Sequence, residues 1–199
     1  MKIGVLALQG AFIEHIDSLT LSGATGVAVR RAEQFADLDG LIIPGGESTT
    51  ILKLMKLYEL EEPIRRLARE GKPVLGTCAG MIVLANSTAD HKMEPLGLMD
   101  ISIRRNAFGR QIDSFETDLA VKGLEGPPFH AIFIRAPVVE EAGPGVEVLS
   151  RLDDGTIVAA RQRNILGLSF HPELGADLRL HQYFLQMKAA GAASCPPAA

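Results

Sequence analysis

The chain has 199 residues, with 20 Lys and Arg against 24 Asp and Glu, and a formal net charge of −4. At roughly 150 residues per domain, this length predicts one folding unit. A composition that is 47% hydrophobic and 22% charged supplies a core and excludes a disordered chain. The acidic balance and the lack of a basic run exclude a bulk electrostatic grip on nucleic acid, though not a local basic pocket. With 5% aromatics and no Trp, the core has to be built from Ala, Val, Leu and Ile.

Ile3 to Leu8 is an apolar run without polar alternation, the pattern of a strand buried on both faces. It is too short for a secretory h-region, and no segment approaches the ~18 apolar residues of a membrane span, so a cytoplasmic setting without membrane contact is expected. Phe12 to Leu21 has helical spacing, with Ile13, Ile16 and Leu19 on its apolar side. Strands are predicted at Gly26 to Arg30 and Gly40 to Ile43. Pro44-Gly45-Gly46 turns the chain into a helix through Leu52, Met55 and Leu60, with Ser48 or Thr49 as the cap. Pro63 opens a further helix that Gly71 stops. Lys72 to Thr77 reads as a strand and Ala79 to Ala85 as a helix.

The second half is strand-rich, with strands predicted at Leu98–Arg104, His130–Arg135, Val146–Arg151, Ile157–Arg161 and Ile165–Phe170. Asp153-Asp154-Gly155 marks a hairpin turn between two of them. A last helix is expected from Gly175 to Ala190. The pattern predicts an α/β fold: a three-layer sandwich around a mostly parallel central sheet, with an antiparallel strand extension. Residues 1–190 would form the domain, and 191–199, rich in Ala and Pro, a disordered tail.

The chemistry concentrates at Val74-Leu75-Gly76-Thr77-Cys78-Ala79-Gly80-Met81. A cysteine stands between a buried strand and a helix with glycine two residues to either side, the nucleophile-elbow arrangement with Cys in place of Ser. Bulky neighbours at those positions would clash in so sharp a turn. The turn aims the thiol at the start of a helix, where partial positive charge favours a thiolate, and the Ala79 amide points to where an oxyanion would form. The other reading is a buried cysteine acting as a small hydrophobe. His171-Pro172-Glu173 tilts the choice. It follows the buried strand Ile165 to Phe170, so it belongs at the carboxyl edge of the sheet, and histidine with a carboxylate is the usual base and orienter for a thiol. Taken alone, His171 could equally be a helix-start residue with Glu173 as a first-turn acid. His15, His91, His130 and His181 have no partner at metal-ligand spacing and read as structural or surface groups, so no metal site is expected. Pro44-Gly45-Gly46-Glu47-Ser48 lets backbone amides face a ligand, a weak signal by itself.

Together, Gly45-Gly46-Glu47-Ser48, Gly76-Thr77-Cys78-Ala79-Gly80 and His171-Pro172-Glu173 resemble the glutaminase domain of triad-type (class I) glutamine amidotransferases. Leu8-Gln9-Gly10, Pro44 to Thr50, Arg105 to Gln111, Phe133 to Pro137 and Ser169 to Leu174 are similar, more narrowly, to the glutaminase subunits of pyridoxal 5'-phosphate synthases. The likeness covers about residues 1 to 190, with Ala107 standing where that family usually has Ser. It implies a flavodoxin-like sheet and a reaction needing no cofactor. Cys78 would be the nucleophile, His171 the base and then acid, and Glu173 the orienter of the imidazole. It also implies that Gly46, Glu47 and Ser48 hold L-glutamine, that Arg105, Ile134 and Arg135 line the same pocket, and that Gly46, Ala79 and Gln9 form the oxyanion hole. The partner implied is a barrel-type synthase subunit that accepts ammonia. A glutaminase of another class I amidotransferase and a non-catalytic regulatory subunit are the alternatives.

Overall fold

The computed structural model describes residues 1–89, 93–105 and 114–187. The first half is built from β1 (Lys2–Leu6), α1 (Phe12–Leu21), β2 (Thr25–Val29), β3 (Gly40–Ile43), α2 (Ser48–Leu57), α3 (Glu61–Arg69), β4 (Val74–Thr77) and α4 (Ala79–Leu84). The second half supplies β5 (Ala85–Thr88), β6 (Met99–Arg104), β7 (Ser114–Leu119), β8 (Phe129–Ile134), β9 (Val138–Ala142), β10 (Glu147–Arg151), β11 (Ile157–Gln162), β12 (Ile165–Leu168) and α5 (Arg179–Gln186).

The main sheet runs β2-β1-β3-β4-β12-β11-β9-β6-β5, with β10 pairing β11. Its first five strands are mutually parallel. From β12 onward the ladder turns antiparallel through β11, β9 and β6. The expected mostly parallel sheet with an antiparallel extension is therefore present, and the Asp153–Gly155 turn joins the antiparallel pair β10 and β11. One predicted strand lies elsewhere. β8 pairs only with β7, in a separate two-stranded sheet.

Side chains of the central strands alternate between two cores. Leu41, Ile43, Val74 and Ile165 pack with Ile51, Ile64 and Met81 from α2, α3 and α4. Ile3, Val5, Ile42, Leu75, Leu166 and Leu168 pack on the other face, with Leu19 of α1, Leu180 and Phe184 of α5, and Phe129 and Phe133 of β8. This explains the strands' apolar runs: both faces are covered, and the buried Thr77 at the end of β4 is held by hydrogen bonds. Phe133 stacks on Phe115 at 4.5 Å and tilts against Phe170 at 5.5 Å, which locks the β7–β8 hairpin onto the layer carrying α1 and α5. Among the described residues, no helix is long and apolar enough to cross a membrane.

Three local expectations need correction. Helix α1 does not bury Ile13, which is 58% exposed; it turns His15 and Ser18 inward beside the expected Leu19. Polar partners below the helix satisfy His15 and so let it take an apolar position. Helix α2 is capped by neither Ser48 nor Thr49. Glu47 is the cap: it has extended backbone, and its carboxylate accepts the Thr49 and Thr50 amides at 3.1 and 2.7 Å. The last helix begins at Arg179 rather than Gly175, and its expected end at Ala190 lies outside the described residues.

Candidate active site

In the register of the three central strands, Ile43, Gly76 and Gly167 stand side by side. Pro44–Glu47, Cys78 and His171 thus leave the sheet at one edge, the carboxyl end of parallel strands where ligands of such folds bind. Cys78 occupies the turn between β4 and α4 with φ 48° and ψ −107°, a conformation that side chains rarely adopt. The flanking glycines are a steric requirement. A Cβ on Gly76 would stand 2.5 Å from the Gly80 carbonyl oxygen, and one on Gly80 would stand 1.9 Å from that of Ile43. Cys78 is 7% exposed, and its thiol donates to the Ile134 carbonyl at 3.7 Å.

His171 follows β12 and is fixed by its backbone amide, which donates to the Ile132 carbonyl of β8. Its ring hydrogen-bonds Cys78 and, through Nδ1, meets Glu173 Oε1 at 2.7 Å. Burial, the largest influence, pulls the imidazole down, but the bonds to Cys78 and Glu173 outweigh it and raise its pKa to about 10. His171 therefore holds its proton at neutral pH. Burial works to raise the Glu173 carboxyl, and His15 and His171 reverse that and hold it below the usual range.

Gly45 closes the site from the β3 side. A Cβ there would meet His171 Cε1 at 2.5 Å, so only glycine lets this loop lie on the imidazole. Its amide donates to Thr77 Oγ1 at 3.1 Å. Gln9 lies against Gly46, where an added Cβ would be 2.4 Å from Gln9 Oε1, and that same oxygen accepts the Glu47 amide at 2.6 Å. A second group gathers around Met93. Its sulfur takes contacts from Ser48 Oγ at 3.8 Å and Arg105 Nη1 at 3.1 Å, while Arg105 Nη2 stands 3.9 Å from Glu47 Oε1. Burial works against ionisation of Glu47, but hydrogen bonds from Thr49 and Thr50 dominate and bring its pKa to about 2.

The structure thus brings Cys78, His171 and Glu173 into one hydrogen-bonded line, with Ile134 over the thiol and Ala79 directly after it. Gln9, Gly46, Glu47, Ser48 and Arg105 form the adjoining rim. Arg135 follows Ile134 at the end of β8 with φ 45°. Residues 106–111, His91 and the expected tail with Cys195 lie outside the described residues. Sequence reasoning missed Met93 and three buried groups behind Glu173: Thr77, His15 and His181. The available signal was a histidine within the inward-facing part of α1, set aside for want of metal-ligand spacing.

A family model described as the SNO glutamine amidotransferase family matches residues 5–190. The pyridoxal 5'-phosphate synthase subunit PdxT of Dehalococcoides mccartyi is 60% identical over 189 residues, covering 94% of this chain and 97% of its own. A solved structure titled as a glutamine amidotransferase superposes with a TM-score of 0.88 at 49% identity, covering 93% of this chain and 97% of that one. The structure of PurLQS from Thermotoga maritima, at 17% identity, TM-score 0.69 and coverage of 92% and 97%, shares the fold alone. With a family model spanning nearly all of its length and close relatives matched end to end, this chain belongs to the SNO glutamine amidotransferase family.

Proposed function

We propose that the chain hydrolyses L-glutamine to L-glutamate and ammonia and passes the ammonia to a separate barrel-type synthase subunit that assembles pyridoxal 5'-phosphate. The observation that carries the chemistry is the strained Cys78, hydrogen-bonded to a His171 that Glu173 holds at 2.7 Å. The Cys78 thiolate attacks the side-chain amide carbon, and the charge on oxygen is taken up by the amides of Gly46 and Ala79. Gln9 assists: its side-chain oxygen is committed to the Glu47 amide, which leaves its NH₂ as the end able to donate. Each such donor contributes about 3–4 kcal/mol. His171 then delivers its proton to the departing ammonia, leaving a thioester and a neutral imidazole. That imidazole takes a proton from water as the water attacks the thioester, and glutamate leaves.

Arg105 faces the substrate's α-carboxylate, and Glu47, Ser48, Ile134 and Arg135 line the pocket around the rest of the molecule. The acceptor side of the proposal follows relatives carrying the synthase-subunit name at 60% identity. A free nucleophilic thiol suits a reducing, cytoplasmic compartment. The test measures ammonia release from glutamine. Cys78→Ala is expected to abolish it; hydrolysis surviving that change would place the nucleophile elsewhere. Adding the synthase subunit with its sugar phosphates should yield pyridoxal 5'-phosphate from glutamine. Ammonia release without any such product would direct the ammonia to another amidotransferase partner.

A further inference from the structure

Glu173 uses only one of its oxygens on His171. The other, Oε2, is buried and makes no hydrogen bond among the described residues, yet His15 Nε2 lies 3.4 Å from it. The same Nε2 is 3.1 Å from Thr77 Oγ1, and Thr77 Oγ1 accepts the Gly45 amide at 3.1 Å. On its far side, His15 Nδ1 meets His181 Nε2 at 3.0 Å, across 166 residues of sequence. Five groups from α1, β4, α5, the loop after β3 and the turn after β12 are thus joined beneath the catalytic line.

The protonation pattern follows from the charges. A bare nitrogen lone pair 3.4 Å from a carboxylate would be repelled, so His15 carries its hydrogen on Nε2, between Glu173 Oε2 and Thr77 Oγ1. Nδ1 is then the acceptor, and His181 donates to it from Nε2. This leaves His181 Nδ1 as a lone pair and not a stranded N–H, in keeping with its being buried with no hydrogen-bond partner. The hydroxyl oxygen of Thr77 accepts from both His15 and Gly45.

We propose that His15, with its tautomer set by His181, is a positioning residue of the glutaminase site: it aims the outer oxygen of Glu173 and ties it through Thr77 to the Gly45 loop. This rests on the glutaminase reading above. The titratable groups facing His15 are Glu173 and His171 from the turn after β12, His181 from α5, and Glu14 from its own helix. Burial is the largest influence and keeps the ring neutral, so it acts as a dipole and not as a cation.

The test compares His15→Leu, which removes the donor, with His15→Gln, whose amide NH₂ reaches the position of Nε2. Glutamine hydrolysis and alkylation of Cys78 by iodoacetamide are both followed against pH. In His15→Leu, kcat is expected to fall about 10- to 100-fold, by analogy with the loss of a group that orients a metal-bound histidine, with KM little changed. The acid limb of alkylation is expected to move up by about one pH unit, because a Glu173 that has lost the His15 N–H dipole facing its outer oxygen protonates more easily and stops supporting the His171 cation. His15→Gln should recover most of both. Equal losses in the two variants with an unmoved alkylation limb would overturn the proposal, as would a wild-type kcat in His15→Leu. If His15→Leu does not fold by circular dichroism, His15→Asn, too short to reach Glu173, takes its place with the same expected outcome. A wild-type protein that releases no ammonia would sink the glutaminase reading, while alkylation, which needs no glutamine, would still decide the role of His15.

Discussion

At Cys78, the backbone holds φ 48° and ψ −107°, a strain of the order of 1–3 kcal/mol that its surroundings have to sustain. They do so by crowding: Gly80 is pressed on the Ile43 carbonyl and Gly45 on the His171 ring, so the turn has nowhere to relax. The same crowding excludes water from His171 and strengthens its bonds to Cys78 and Glu173. With a pKa of about 10 instead of the ordinary 6.5, His171 keeps, across the physiological range, the proton that the proposed reaction gives to ammonia. Glutaminase activity should therefore hold through pH 8 and decline only toward about 10. Glu173→Gln removes the anion and should bring this alkaline limb down toward 6.5. Glutamine's own amino group titrates alike for both proteins, so the difference between the two kcat/KM profiles is the readout; coincident limbs would show that Glu173 does not set the His171 charge. Cys78, His171 and Glu173 were legible in sequence because each carries a local mark: glycines at ±2, and a proline between acid and base. His15 has no such mark. Its partners are 62, 158 and 166 residues away, and only the folded sheet edge brings them together.

Helix α2 shows how one element serves the site. Glu47 satisfies the first-turn amides of α2 with its carboxylate and offers its own amide to Gln9, so a single residue sets both the start of the helix and the position of the rim proposed to bind glutamine. Glu47→Ala should cost about 1 kcal/mol of stability in urea unfolding, a usual value for a lost cap, and should raise KM for glutamine more than it lowers kcat, because the rim and not the nucleophile is loosened. A selective loss of kcat would argue against that division. Sequence periodicity located α1 and β3 to the residue, since both are bounded by turn-forming segments and bury a continuous stripe or run. It missed β5, which follows α4 without a break. It missed β7, whose Ser-Phe-Glu-Thr-Asp-Leu is largely exposed and polar, and β9, which carries two adjacent glutamates after Val138 and Val139. Those three strands are defined by what they pair with and not by what they bury.

Across the whole molecule, His15 and His181, the buried histidines whose pKa is lowered, couple the site to acid stability. His181 is pushed down to about 3, by burial first and by His15 second, and burial likewise lowers His15. Above pH 6.5 both are neutral whether the chain is folded or not, and neither contributes. Below 6.5 the unfolded chain takes up protons that the fold refuses, so stability falls as pH falls, by up to about 1.4 kcal/mol per pH unit for each histidine. The lowered carboxyls of Glu47 and Glu173 lose their contribution only at lower pH, as it drops below the ordinary 4.5 toward their folded values. Exposed His130, raised by Asp118 and Glu116, and His171, raised to about 10 because its bonds to Cys78 and Glu173 outweigh burial, work in the opposite sense: their contribution is complete below 6.5 and is lost as pH rises above it. The interval between pH 6.5 and 5 therefore isolates the buried pair. Urea unfolding across it should show stability declining with acid, and His181→Gln, which leaves one titrating imidazole of the two, should roughly halve the slope. An unchanged slope would mean that the pair accepts a proton without unfolding. The chain would then have to open locally beneath Glu173 to admit it, and glutaminase activity would fall over the same interval while the fold stayed intact.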